Sequence, residues 1–130
     1  LKRDNIFMAR SFDMDGIRIV FRSSGAPVFA HNLALKSNAW QHVAVIWDME
    51  KPSGRIYLNG SLDFSGQIRD RAWFPRGQKF QIGGSDSGEG CACQIDEVCI
   101  FARVLTDEEV REVYRAGTGV TPLQPTGPEF

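Results

Sequence analysis

The sequence has few histidines, no excess of one charge and no long apolar run. Fifteen Lys and Arg stand against sixteen Asp and Glu, a formal net charge of −1. There is therefore no basic footprint for nucleic acid or for an anionic membrane surface. No apolar stretch approaches the ~20 residues that cross a bilayer, so no membrane span is expected. The opening LKRDNIFMAR lacks the apolar h-region of a signal peptide; an export signal is expected only outside this sequence. Zinc has little to bind, because the only histidines are His31 and His42 and the three cysteines are crowded between positions 91 and 99.

What is present is apolar alternation broken by turn residues, the pattern of strands. Candidate strands are Ile6–Ala9, Ile17–Phe21, Pro27–His31, Trp40–Asp48, Arg55–Leu58, Ser61–Phe64, Gln78–Gly83 and Gln94–Arg103. Trp40–Asp48 is rich in β-branched and aromatic residues. Neither of its faces is polar throughout, so cover is expected on both. Asn59-Gly60 sits where a two-residue hairpin needs φ > 0 twice. With no alternation of strands and helices, an antiparallel sandwich or barrel is expected rather than a parallel sheet.

One helix is well specified. Thr106 and Glu109 make a capping box, Leu105 and Val110 a hydrophobic staple. Val110, Val113 and Tyr114 form an apolar stripe, and Gly117 is placed to end the helix. Asp107, Glu108 and Glu109 then lie in its first turn, where they complement the helix dipole. The domain is expected over 1–117, with 118–130, rich in Pro and Gly, as a tail or linker.

The segments NAWQHVAVIWD, GRIYLNG, FQIGG and QIDEVCIFARVLTDEEVREVY, in this order from Asn38 to about Tyr114, resemble a laminin-G-like domain of the concanavalin A-like class. The resemblance implies an all-β, antiparallel jelly-roll β-sandwich with one short C-terminal helix. The family usually has further strands before the point where this sequence begins. Either the sequence is a fragment or truncated version, or a partner chain supplies the missing strands; a homodimer or such pairing, or an unusually compact sandwich, is therefore expected. Cys91 and Cys93 stand where the pattern usually has an aromatic and a glycine, and Cys99 where arginine is common.

The acidic pair Asp96-Glu97 does not suit acid–base catalysis, because neighbouring residues of a strand point to opposite faces. Glycosidases of similar fold space their carboxylates along one strand face, and here the alternating positions hold Gln94, Val98, Ile95 and Cys99. In similar folds an aspartate on this last strand can join backbone carbonyls around Ca²⁺, which makes Asp96 the calcium candidate. The competing view, favoured here, has Asp96 and Glu97 making backbone hydrogen bonds. Cys91 and Cys93, if extended, lie ~6.6 Å apart with parallel Cβ vectors, which argues against a bridge between them. An odd cysteine count leaves two options, a partner cysteine in another segment or chain, or buried thiols. His42 beside Asp48 and Ser61 reads as a packed histidine of a central strand. Trp40, Trp47 and Phe80 read as core. Trp73 and Phe74, in a polar loop with Arg71 and Arg76, are the candidate ligand-binding surface. The acidic residues of GGSDSGEG read as a solvated connector, and Asn59-Gly60-Ser61 also fits an N-glycosylation acceptor.

Taken together, a non-catalytic binding or adhesion module is expected, extracellular or at the cell surface, that recognises carbohydrate or an extracellular protein. The alternative is a structural or oligomerisation accessory domain of a larger enzyme.

Overall fold

The computed structural model describes residues 5–10, 15–23, 26–71, 73 and 93–117. These hold β1 (Asn5–Arg10), β2 (Gly16–Ser23), β3 (Ala26–Ala34), β4 (Val43–Asp48), β5 (Ser53–Leu58), β6 (Ser61–Gln67) and α1 (Asp107–Gly117). Each of the first six expected strands is present. β1, β2 and β3 form one antiparallel meander, β4, β5 and β6 a second. The chain crosses from one sheet to the other between β3 and β4.

The sheets are held face to face by their apolar sides. Ile19, Phe21, Val28, Phe29 and Leu33 from the first sheet meet Ile56 from the second, with Val43, Val45, Trp47 and Phe64 around them. Phe21 stacks on Phe29 at 4.6 Å between ring centres. Burial of each large side chain here contributes about 1.5–3 kcal/mol. Gly54 marks a close approach, since a Cβ there would lie 2.7 Å from Cε2 of Phe29.

The second sheet is covered on its other face too. Ile46 and Tyr57 pack with Leu105 and Val110, and with Ala44, Phe101 and Val113 at the margin. β4 thus sends Val43, Val45 and Trp47 toward the first sheet and Ala44 and Ile46 toward the helix, as its two apolar faces require. The strand is nevertheless shorter than expected. It starts at Val43 and lies at the edge of the order β4-β5-β6 among the described residues, so His42 precedes the strand rather than sitting in the middle of a central one.

α1 begins as its sequence dictates. Glu109 N–H donates to Thr106 Oγ1 at 3.2 Å, and Thr106 N–H to Glu109 Oε1 at 3.1 Å, which satisfies two orphan donors reciprocally. Leu105 and Val110 are both buried. Arg55 of β5 ties the helix start to the sheet through Asp107 Oδ1 at 2.8 Å and the Leu105 carbonyl at 2.7 Å. The Tyr57 hydroxyl donates to the same Asp107 oxygen. Burial, and then that hydrogen bond to a carboxylate, push Tyr57 up to about 12.

One expectation for the C-terminal half changes. Residues 94–100 are not a strand. Glu97 takes φ 58°, outside the β region, and its N–H is held by Asp96 Oδ1 at 2.8 Å; a local side-chain bond has won over a ladder. The expected strand Gln78–Gly83, Phe80 within it, the connector GGSDSGEG and the tail 118–130 lie outside the described residues.

Candidate functional site

Of the four residues singled out as a binding surface, Trp73 and Arg71 are among the described residues, and Trp73 is not at the surface. Trp73 is 1% exposed. Its ring lies parallel to Phe21 at 4.8 Å, and its indole N–H donates to the Arg22 carbonyl at 2.9 Å. A polar loop has put its tryptophan into the core and satisfied the N–H there. Arg71 is exposed, while Phe74 and Arg76 lie outside the described residues.

Asp96 is exposed, with Oδ1 engaged by the backbone of Glu97. Among the described residues no group of three His, Cys, Asp or Glu is arranged to hold a metal ion. Cys93 is disulfide-bonded and Cys99 is exposed, so neither acts as a buried thiol. The expectation against a Cys91–Cys93 bridge involves Cys91, which lies outside the described residues.

His42 does not meet Asp48. They are six residues apart along extended chain, about 20 Å, and Asp48 Oδ1 accepts from Glu50 N–H at 3.0 Å. The imidazole tilts on Tyr114 at 5.8 Å, with Nδ1 buried and lacking a hydrogen-bond partner. Burial pushes its pKa below the usual histidine value, so it stands neutral, as a packing residue.

Among the described residues a groove of about 510 Å³ lies between the end of β3, the segment entering β4 and the β5–β6 hairpin. That size falls among small-ligand pockets, roughly 300–1,000 Å³. Ala34, Leu35, Ala39 and Leu58 give it apolar walls; Lys36, Trp40, Gln41 and Asn59 supply its chemistry. Trp40 is 68% exposed, more than any other large hydrophobic residue described. Alternation placed it in the core with Ala44 and Ile46, but alternation holds only within a strand, and the strand starts three residues later. The signal that could have found it is Ser37-Asn38 immediately upstream, a turn pair. Asn38 takes φ 56°.

Two amide side chains fix the tryptophan in place. Gln41 Oε1 accepts from Lys36 N–H at 3.0 Å, while Gln41 Nε2 donates to the Lys36 carbonyl at 2.8 Å. One side chain thus imitates a strand partner and closes the loop from 36 to 41. Asn59 does the same for the next residue: its N–H donates to the His42 carbonyl at 2.8 Å and its Oδ1 accepts from His42 N–H at 2.9 Å. Asn59 can do so because it sits at φ 51°, followed by Gly60 at φ 80°, the two left-handed positions of the expected hairpin. Gly60 is also required sterically, since a Cβ there would lie 2.9 Å from Tyr114 Cδ2. Trp40 is therefore an exposed indole on a pinned segment, a rigid platform for a planar or apolar face.

A comparison with curated proteins gave no significant match. Among solved structures, the fold is similar to the 2.1 Å crystal structure of residues 221–444 of an S-layer domain-containing protein from Clostridium thermocellum, with TM-score 0.52 and 19% identity. The alignment covers 88% of this chain and spans 64% of the length of that one. A family model of the concanavalin A-like lectin/glucanases superfamily, Laminin_G_3, matches residues 3–111. The resemblance seen from Asn38 onward thus extends back through β3, β2 and β1. The chain belongs to this laminin-G-like family of the concanavalin A-like lectin/glucanases superfamily.

Proposed function

We propose that the chain is a non-catalytic binding module of a secreted or cell-surface protein, and that it takes carbohydrate in the groove at Trp40. The observation that carries this is the indole itself, 68% exposed on a backbone segment that the Gln41 and Asn59 clasps hold at Lys36 and His42. An exposed aromatic ring leaves apolar area that a partner can bury, and a clasped backbone lowers the ordering cost of binding there. The apolar side of a sugar ring fits such a face, and amide groups at the rim fit its hydroxyls. Support for a non-catalytic role comes from the acid–base candidates, which do not assemble: His42 is remote from Asp48, and Asp96 is engaged with its own neighbour. Calcium enters only at Asp96, and nothing about the Trp40 seat depends on it.

Affinity electrophoresis through gels containing soluble polysaccharides tests the proposal. At least one polysaccharide should retard the protein, and Trp40→Ala should remove the retardation while leaving the thermal midpoint within a few degrees. Retardation of Trp40→Ala equal to wild type would place the ligand elsewhere and sink the idea.

A further inference from the structure

We infer that the saccharide held at Trp40 is an acidic one, a carboxylated pyranose of the hexuronate type. The inference rests on the Trp40 seat proposed above and concerns what the groove selects within it.

The argument is an inventory of hydrogen-bonding capacity. The orientation of the Gln41 amide is fixed by its partners, because Oε1 must face Lys36 N–H and Nε2 must face the Lys36 carbonyl. Likewise Asn59 Oδ1 must face His42 N–H. Each amide oxygen therefore already accepts one bond from the protein and keeps one lone pair. What remains at the rim is mainly donors: two N–H of the Asn59 amide, one of Gln41, and the three of the Lys36 ammonium. Lys36 is exposed, and its clasp with Gln41 uses only its backbone, so its side chain is left to serve a ligand. Among the described residues no carboxylate lines the groove, and Lys36 is its single charged residue.

A neutral sugar offers hydroxyls with one donor and two lone pairs each, and every O–H turned into a donor-rich seat is short of an acceptor. A carboxylate offers acceptors only, about four lone-pair sites, and charge-assisted bonds to it are roughly twice as strong as neutral ones. A hexuronate joins the two requirements in one ring, with an apolar face for Trp40 and an acceptor-only group for Lys36 and Asn59. An acidic peptide carries the anion without that ring face, which makes the saccharide the better match.

The test uses ¹⁵N-labelled protein and the indole N–H signals. The sequence has three tryptophans, so Trp47 and Trp73, both set in the core, serve as internal controls, and Trp40→Phe assigns the third signal. The probes are oligomers of polygalacturonate and alginate, their methyl esters, neutral glucan oligomers and a poly-glutamate peptide. The Trp40 signal should move with the acidic oligomers and respond at least tenfold more weakly to the esters. Lys36→Gln, which keeps the backbone clasp, should reduce the response to the acids to the level of the esters. Equal responses to acids and esters, or to neutral glucans, with Lys36→Gln unchanged, would overturn the acid preference and leave the Trp40 seat standing. A response to poly-glutamate as strong as to the saccharides would replace the sugar with a peptide. No movement with any probe would remove both the preference and the seat.

Discussion

Asp63 of β6 reaches across the sandwich to His31 of β3, Oδ2 to Nε2 at 2.7 Å. Asp63 can do so because it is the extra residue of a β-bulge: Ile56 pairs with Phe64 and Tyr57 with Leu62, leaving Asp63 without a partner in the ladder. The His31 ring also lies parallel to that of Phe64 at 4.3 Å. A second bulge repeats the device in β3. There Phe21 pairs with Phe29 and Arg22 with Pro27, leaving Val28 over, and the Val28 carbonyl accepts from Arg69 N–H at 2.9 Å. Both irregularities turn an unpaired residue into a link between the sheets, the re-aiming that bulges provide.

The two halves of the His31 contact should separate by mutation. The contact is partly solvated, with Asp63 39% exposed, so Asp63→Asn is expected to cost no more than about 1 kcal/mol. His31→Ala also loses the stacked ring, worth another ~0.5–1.5 kcal/mol. Urea unfolding should rank the variants in that order. Equal losses would mean that the stacking contributes nothing.

Trp73 and Trp40 invert what their neighbours in the chain suggest. Trp73→Ala opens a hole between Phe21 and the Arg22 carbonyl and should cost about 3–5 kcal/mol. Trp40→Ala should cost less than about 1 kcal/mol. Thermal melts of the two variants decide it, and a Trp40→Ala protein as destabilised as Trp73→Ala would return Trp40 to the core.

That inversion marks where sequence ceases to specify structure here. Periodicity and caps are local, and they located six strands, the Asn59-Gly60 hairpin and the whole of α1, because each is decided by residues within a few positions. Which ring fills the gap beside Phe21 is decided by residues some fifty positions away, and no local pattern carries it. The break at Asp96-Glu97 was hidden for a related reason. QIDEVCIF alternates like a strand, yet the choice between ladder and side-chain bond is settled by whether a neighbouring strand is in register. The groove was invisible in the same way: Lys36, Gln41 and Asn59 are ordinary polar residues until the β3–β4 crossing and the β5–β6 hairpin bring them together.

Acid should loosen the start of α1. The Arg103 guanidinium, then the Thr106 backbone N–H, hold Glu109 down from its ordinary 4.5 to about 2. Between those values the unfolded chain binds more protons than the folded one, so stability rises with pH across this window. The contribution is present above about pH 4.5 and is lost as pH falls toward 2. Glu109→Gln should flatten the acid limb of the stability curve. Thr106→Ala should cost about 1 kcal/mol near neutrality. Urea midpoints from pH 2 to 7 check both; an unchanged acid limb in Glu109→Gln would assign that limb to other carboxylates.

Gln41 gives the most direct test of the groove, because its effect on presentation can be read without any ligand. Its amide makes two bonds to the backbone of Lys36, and a hydrogen bond of this kind is worth about 1 kcal/mol net. Gln41→Ala should therefore speed exchange of the Lys36 amide about fivefold while barely moving the global midpoint, since the loop lies outside both apolar clusters. Gln41→Glu keeps the acceptor for Lys36 N–H but faces the Lys36 carbonyl with a second acceptor, so one bond is lost and the other survives. Its Lys36 amide should stay protected while the loop end toward Gln41 loosens. If Trp40 binds because it is held still, both variants must weaken saccharide binding with the indole itself untouched. Full affinity in Gln41→Ala would mean that the ring alone, and not its clasp, makes the site.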